Sequence, residues 1–140
     1  MAGGFKLYKY VGEHPPIEYK LMTNSEACTI GQRLRVSSGR LTLAASTLTC
    51  DGIALKTVAA ATAASVLVPY IEVRQSDEFV AYASTAVCLA ATDIGTFFDC
   101  STDGLSVLAV SSGASFKVTN VDGTTALNNK VYGKFVPRES

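Results

Sequence analysis

Apolar and polar residues alternate with a period of two along much of this chain, most clearly between Thr29 and Leu43. There Leu34 and Val36 alternate with Arg33 and Arg35. Ser37-Ser38-Gly39-Arg40 then turns the chain, and Leu41 and Leu43 alternate about Thr42. Alternation on both sides of a Ser/Gly cluster predicts a half-buried β-hairpin. A looser copy runs from Asp93 to Leu108. Aligning Ile30-Gly31 with Ile94-Gly95 sets Val36 against Cys100 and Ser37-Ser38 against Ser101-Thr102. With one residue inserted in the second turn, Leu41-Thr42-Leu43 falls on Leu105-Ser106-Val107 or its neighbours. The pattern thus predicts one hairpin design used twice, and in 140 residues the two copies must share a core.

The remaining segments are also short and β-like. Phe5–Tyr10 and Ile17–Leu21 alternate, separated by Gly12-Glu13-His14-Pro15-Pro16, which forces an extended break. Residues 1–24 therefore read as an N-terminal arm, pairing with a sheet edge of its own chain or of a neighbour. An Asp51-Gly52 turn leads into a strand over Ile53–Val58. Ala59–Ser65 reads as a loop with one helical turn, lacking an apolar stripe. Val66–Val73 is strongly β, with Pro69 placing it at an edge or bulge. Glu78–Ala83, Ser115–Val121 and Lys130–Val136 complete the strands, Thr85–Ala91 has no clear assignment, and turns fall at Ser111-Ser112-Gly113 and from Asp122 to Asn129. Turn signals every 8 to 12 residues or so, without helical periodicity, predict an all-β protein. The expected architecture is a small, partly open β-barrel or sandwich built from two similar hairpin units. It would form a single domain over residues 25–140, preceded by the arm.

Composition narrows the function. Charged residues make up 17% of the chain, below the roughly 25% of an average soluble protein, and apolar residues 48%. Part of the surface is thus expected to be covered by a partner. A formal net charge of zero argues against nucleic acid and anionic membranes as partners. The longest uncharged run, Thr57–Ile71, is interrupted by Pro69 and falls short of the ~20 residues a membrane helix needs. With no secretory pattern over Met1–Asn24, synthesis in a cytoplasm is expected.

Candidate chemistry is sparse. Cys28, Cys50, Cys88 and Cys100 form no C-x-x-C pair, and His14 is the sole histidine, so neither a metal nor a cofactor is expected. Cys100, aligned with Val36, reads as a small buried hydrophobe. Asp51, Asp103 and Asp122 each precede a glycine, which turn chemistry explains. Phosphate, dinucleotide, hydrolase and zinc-protease motifs are absent. A base built on His14 would sit in a Pro-rich arm, a poor place to hold it against a nucleophile. Arg33, Arg35 and Arg40 are expected to be solvated on the outer hairpin face or to meet a partner's carboxylates. These features point away from an enzyme and towards an interaction protein.

Three stretches carry a resemblance: Asp77-Glu-Phe-Val-Ala-Tyr-Ala83; Asp93-Ile-Gly-Thr-Phe-Phe-Asp-Cys-Ser-Thr-Asp-Gly-Leu-Ser-Val107; and Lys130-Val-Tyr-Gly-Lys-Phe-Val136. With the segments between them, covering most of residues 29–136, they resemble bacteriophage capsid decoration proteins, the auxiliary proteins that stabilise phage heads. The resemblance implies a β-barrel-like protein on the outer surface of an assembled virion capsid, made in the host bacterial cytoplasm. Its partner would be the major capsid protein, with self-association into trimers, and no catalytic residues carry over. In such a role the arm would add a strand to a neighbour, anchored by Phe5, Tyr8, Tyr10, Ile17 and Tyr19. A tail or head-fibre base module is the alternative, and a carbohydrate-binding module a more distant one.

Overall fold

The computed structural model describes residues 4–44, 50–101, 103–109, 116–123 and 126–135. The expected turn at Ser111-Ser112-Gly113, the Thr47–Thr49 segment, Thr102, Ser115 and the end of the last strand at Val136 lie outside the described residues. The strands are β1 (Lys6–Lys9), β2 (Ile17–Leu21), β3 (Arg33–Ser37), β4 (Arg40–Leu43), β5 (Gly52–Ala54), β6 (Leu67–Glu72), β7 (Glu78–Ala83), β8 (Phe97–Phe98), β9 (Ser106–Val107), β10 (Phe116–Val121) and β11 (Lys130–Phe135). Single 3-10 turns at Ala60–Thr62 and Ala91–Asp93 are the helical elements among the described residues. The protein is all-β, as its alternation predicts.

Two rolled sheets form the molecule. One has the order β2-β6-β5-β3-β4; the other has β1-β7-β11-β10-β8, with β9 on β7. Matching β2 through β6 in turn with β7 through β11 reproduces every neighbour relation. The β3–β4 hairpin pairs Val36 with Leu41, and its counterpart is the Cys100–Val107 bridge. Met22 meets Leu41 in parallel, as Ala83 meets Val107. Arg33 lies opposite Ile53 and Leu34 opposite Gly52, as Phe97 lies opposite Lys117 and Phe98 opposite Phe116.

Loop hydrogen bonds repeat as well. Gly31 N–H donates to Ala54 C=O at 2.8 Å, and Gly95 N–H to Val118 C=O at 2.7 Å, with both glycines at positive φ (89° and 91°). The alignment of Ile30-Gly31 with Ile94-Gly95 therefore marks two five-stranded, partly open barrels of one topology. The second hairpin is the abbreviated one. Its strands are two residues each, joined through Cys100–Val107 and flanked by Ser101 N–H to Ser106 C=O (2.8 Å) and Leu108 N–H to Asp99 C=O (2.9 Å). In the first hairpin, Ser38 and Gly39 both take positive φ (52° and 78°), the conformation that a two-residue turn between twisted strands requires.

The chain length predicts one shared core, but each barrel has its own apolar filling, because each unit closes far enough to cover its own inward side chains. Met22, Leu34, Leu41, Ala54, Val68 and Tyr70 point inward in the first. Phe79, Phe98, Val107, Phe116, Val131 and Phe135 are among those filling the second, where Phe5, Cys50, Ile53 and Ile71 join the same cluster. The barrels meet through positions that would otherwise face solvent. Ile53 and Ile71 are buried, whereas their counterparts Lys117 and Lys134 on the second barrel are half-buried.

Three details depart from the pattern-based expectation. Pro69 sits in β6, a central strand between β2 and β5. Its carbonyl accepts Leu55 N–H at 2.9 Å just beyond the end of β5, so its nitrogen faces a place where no ladder donor is needed. β5 is shorter than Ile53–Val58, because the chain leaves the ladder after Ala54 and returns as a Cys28–Val58 bridge. Finally, Arg33 is fully buried rather than solvated. It lies on the outer face of the first barrel, but that face is covered by the second, and its guanidinium carbon is 5.7 Å from the Phe135 ring centre.

Candidate interaction surface

The residues expected to form an arm supply strands to both barrels. β1 pairs antiparallel with β7, through Lys6–Val80, Leu7–Phe79 and Lys9–Glu78. β2 pairs antiparallel with β6 along its whole length, Ile17 opposite Ile71 and Leu21 opposite Leu67. Between them, the Glu13 carbonyl accepts a hydrogen bond from Arg74 at 2.8 Å, and Arg74 also binds both oxygens of the buried Asp77 carboxylate at 2.8 and 2.9 Å. The N-terminal segment is thus stitched to its own chain.

The five candidate anchors separate into three places. Phe5 is a core residue, 1% exposed, with its ring centre 5.5 Å from Phe116 and 5.1 Å from Phe135. It is unavailable to a partner, because the turn at Gly4 and the Phe5 N–H bond to Gly31 C=O (2.8 Å) drive it between the barrels. Tyr8 packs on Tyr132 (ring centres 4.6 Å apart), and Tyr10 meets His14 edge-on (5.2 Å). Ile17 and Tyr19 lie on β2, on the other sheet. Tyr8, Tyr10, Ile17 and Tyr19 are 53%, 44%, 46% and 60% exposed, which is high for residues of their size. Leu67, opposite Leu21 on β6, adds another exposed apolar side chain beside β2.

The open edges are unequal. At β4, Glu26 accepts Leu43 N–H (2.7 Å) and Thr42 Oγ1–H (2.8 Å), while Arg40 donates to Met22 C=O (3.0 Å). Side chains therefore occupy that edge. At β2 the C-terminal end meets β4 through the Met22–Leu41 bridge, and the Ile17–Tyr19 part has no strand on the side away from β6 among the described residues. The equivalent part of β7, Glu78–Val80, is the part that β1 covers.

Two concavities flank these strands. An apolar groove of about 570 Å³ lies between β1 and the first barrel, lined by Leu7, Ile30, Ile53, Leu55 and Ile71 among others. A more polar cleft of about 400 Å³ opens at one end of the first barrel, lined by Lys20, Val36, Asp51, Tyr70, Glu72 and Val73. The matching end of the second barrel is plugged by Phe79, Phe116 and Phe135, which stand where the first has Glu18, Gly52 and Glu72. In the cleft, the Lys20 ammonium lies 5.6 Å from the Tyr70 ring centre. A hydrogen bond to Tyr70, with the nearby charges of Glu18 and Glu72, raises the Lys20 pKa above its usual 10.5.

Cys28, Cys50 and Cys100 are buried free thiols and Cys88 is half-buried. Burial raises Cys50 to about 11 and Cys100 to about 12 against the opposing charge of Arg33, so both stay protonated at neutral pH. His14 Nδ1 lies 2.7 Å from the Pro15 carbonyl, in the turn between β1 and β2. Among the described residues no group of His, Cys, Asp or Glu is placed to hold a metal ion, and no helix is long and apolar enough to cross a membrane. No family model, curated protein or solved structure matches the chain.

Proposed function

We propose that the protein is a structural virion component that binds the outer surface of an assembled bacteriophage head and stabilises it by bridging neighbouring major capsid protein subunits. The resemblance of the Asp77–Ala83, Asp93–Val107 and Lys130–Val136 segments to capsid decoration proteins supports this reading. The geometric observation that carries it is the exposure of Tyr8, Ile17 and Tyr19 on strands paired into the two barrels, and of Tyr10 just beyond β1. Aromatic side chains held rigidly at a surface lose little entropy when a partner covers them.

A protein that binds the closed lattice but not dispersed subunits stabilises the lattice by mass action. Many copies spanning adjacent subunits add avidity, because each second contact forms within one assembly. No bond-making step belongs to this role.

The test is co-sedimentation with assembled heads and, separately, with free shell subunits. Binding to heads alone is expected, and a variant carrying serine at positions 8, 10, 17 and 19 should lose it while keeping its β-sheet spectrum. Failure to sediment with heads, or full binding by the serine variant, would overturn the proposal. Electron microscopy that placed the protein on the tail would favour a tail or fibre-base role instead.

A further inference from the structure

We propose that the open part of β2, Ile17–Tyr19, receives an extended segment of a partner protein as an added antiparallel strand. A basic residue of that segment faces Glu18, between two apolar residues that face Ile17 and Tyr19. On the head-binding role, from which only the partner's identity is taken, the segment belongs to a capsid subunit.

The internal repeat shows such a place filled once. Ile17, Glu18 and Tyr19 occupy the positions that Glu78, Phe79 and Val80 occupy in β7. There the outer edge is covered by β1, with Lys9 opposite Glu78, Leu7 opposite Phe79 and Lys6 opposite Val80. In both units a parallel contact takes over farther along the strand, Met22 with Leu41 and Ala83 with Val107. The fold thus accepts a short antiparallel strand ahead of that contact. Among the described residues this chain supplies one such strand for two such places.

Backbone direction agrees. Glu72 N–H donates to Pro16 C=O at 2.9 Å, whereas the Pro69 carbonyl, opposite Tyr19, turns away from β2 to accept Leu55 N–H at 2.9 Å. Hydrogen-bonded and non-hydrogen-bonded pairs alternate along an antiparallel ladder, so Ile17 and Tyr19 point their N–H and C=O groups away from β6. An added strand bonds to these two residues, as in other cases of strand addition to a sheet edge. Its residue opposite Glu18 then falls at a non-hydrogen-bonded pair, where side chains approach most closely. The site ends at Met22, where the edge passes to β4 and Thr23 N–H donates to Leu41 C=O at 2.7 Å.

Charge defines the occupant. Glu18 lies opposite Tyr70, one of the inward residues of the first barrel, and so shares its inner face at the open end. The cleft at that end is lined by Asp51 and Glu72 with a single base, Lys20. Where the second barrel sets Leu7 of the covering strand against Phe79, the first therefore calls for a cation against Glu18. Ile17 and Tyr19, on the outer face, pair best with apolar residues. A second copy of β2 is a poor occupant, because registered on the open residues it sets Glu18 against Glu18. β1 is committed to β7.

The experiment titrates the purified, isotope-labelled full chain with the end-blocked peptide Thr-Val-Arg-Val-Thr and follows backbone amide signals by NMR. Heads are absent, so failure here is distinct from failure to sediment with heads. Saturable shifts at Ile17, Glu18 and Tyr19 are expected. The peptide Thr-Val-Glu-Val-Thr should bind about ten-fold more weakly, since an attractive cross-strand pair becomes repulsive. Glu18→Lys should reverse that preference. Tyr19→Pro removes an outward N–H while sparing the bonds to β6, and should abolish the shifts at Ile17 and Glu18. Circular dichroism confirms that each variant is folded. Absence of saturable shifts at these amides, shifts confined to the apolar groove, or equal binding of the two peptides would overturn the proposal. So would an unreversed preference in folded Glu18→Lys, or undiminished binding by folded Tyr19→Pro.

Discussion

Asn129 shows how one buried polar side chain can organise a stretch that has no pattern of its own. Its Oδ1 accepts Leu89 N–H at 3.0 Å, and its Nδ2 donates to the Leu89 and Asp122 carbonyls, both at 2.9 Å. Thr85–Ala91 lacks periodicity, and this clamp, with Leu89 at 1% exposure, holds it against the second barrel. Asn129→Leu should cost about 2–3 kcal/mol in urea denaturation, because buried backbone groups lose their partners. Tyr132 gives a pH-dependent counterpart. Its hydroxyl donates to Asp122 at 2.8 Å, and this bond, followed by partial desolvation, pushes its pKa from 10.0 up to about 12. The folded state therefore favours the protonated phenol. That contribution is complete below pH 10 and lost as pH rises towards 12. Wild type should lose stability relative to Tyr132→Phe across that window, read from thermal melts at stepped pH. Thiol accessibility follows burial. A thiol reagent should label Cys88 first in the native protein, and Cys28, Cys50 and Cys100 only on unfolding.

At the scale of elements, the two barrels exchange an aromatic ring and a glycine between facing strands. In the first, the Tyr70 ring lies where a Cβ on Gly52 would stand; in the second, a Cβ on Gly133 would come within 2.6 Å of the Phe116 ring. Gly52 and Phe116 are equivalent positions, as are Tyr70 and Gly133. Each barrel thus fills the same space from opposite strands. Gly133→Ala should destabilise by about 1–3 kcal/mol, because the added methyl also meets the Lys117 carbonyl, which cannot move without breaking the ladder. The N-terminal strands are equally integral. Phe5→Ala removes a ring packed among Phe116 and Phe135 and should cost about 3–5 kcal/mol. Chemical denaturation of both variants checks these values. Point substitutions at the exposed tyrosines are accordingly the right probe of binding, since deleting the segment would remove Phe5, β1 and β2 together.

For the whole molecule, the duplication accounts for both the likeness and the difference between the barrels. Positions inside each barrel are apolar except at the open end of the first, where Glu18, Gly52 and Glu72 replace Phe79, Phe116 and Phe135. Positions outside diverge according to what covers them: Ile53 and Ile71 where the barrels touch, Lys117 and Lys134 where they do not. The cross-barrel contact also uses polar groups. Gln32 Nε2 donates to Asp103 C=O at 2.7 Å, and Arg33 N–H to Gly104 C=O at 3.1 Å. The turn of the second unit thus rests on β3 of the first and ties the two barrels together.

The alternation of residues determined the all-β class, most strand positions and the repeat signalled by Ile30-Gly31 and Ile94-Gly95, because side-chain period and turn chemistry are local properties written at each position. Only the tertiary structure decided that Arg33 is buried, that Pro69 sits in a central strand, that Phe5 is core while Tyr19 is exposed, and that β1 crosses to the second barrel and leaves the edge of β2 open. Those outcomes depend on which outer face meets another layer and which strand lies alongside. Such contacts join residues far apart in the chain, and no local pattern encodes them.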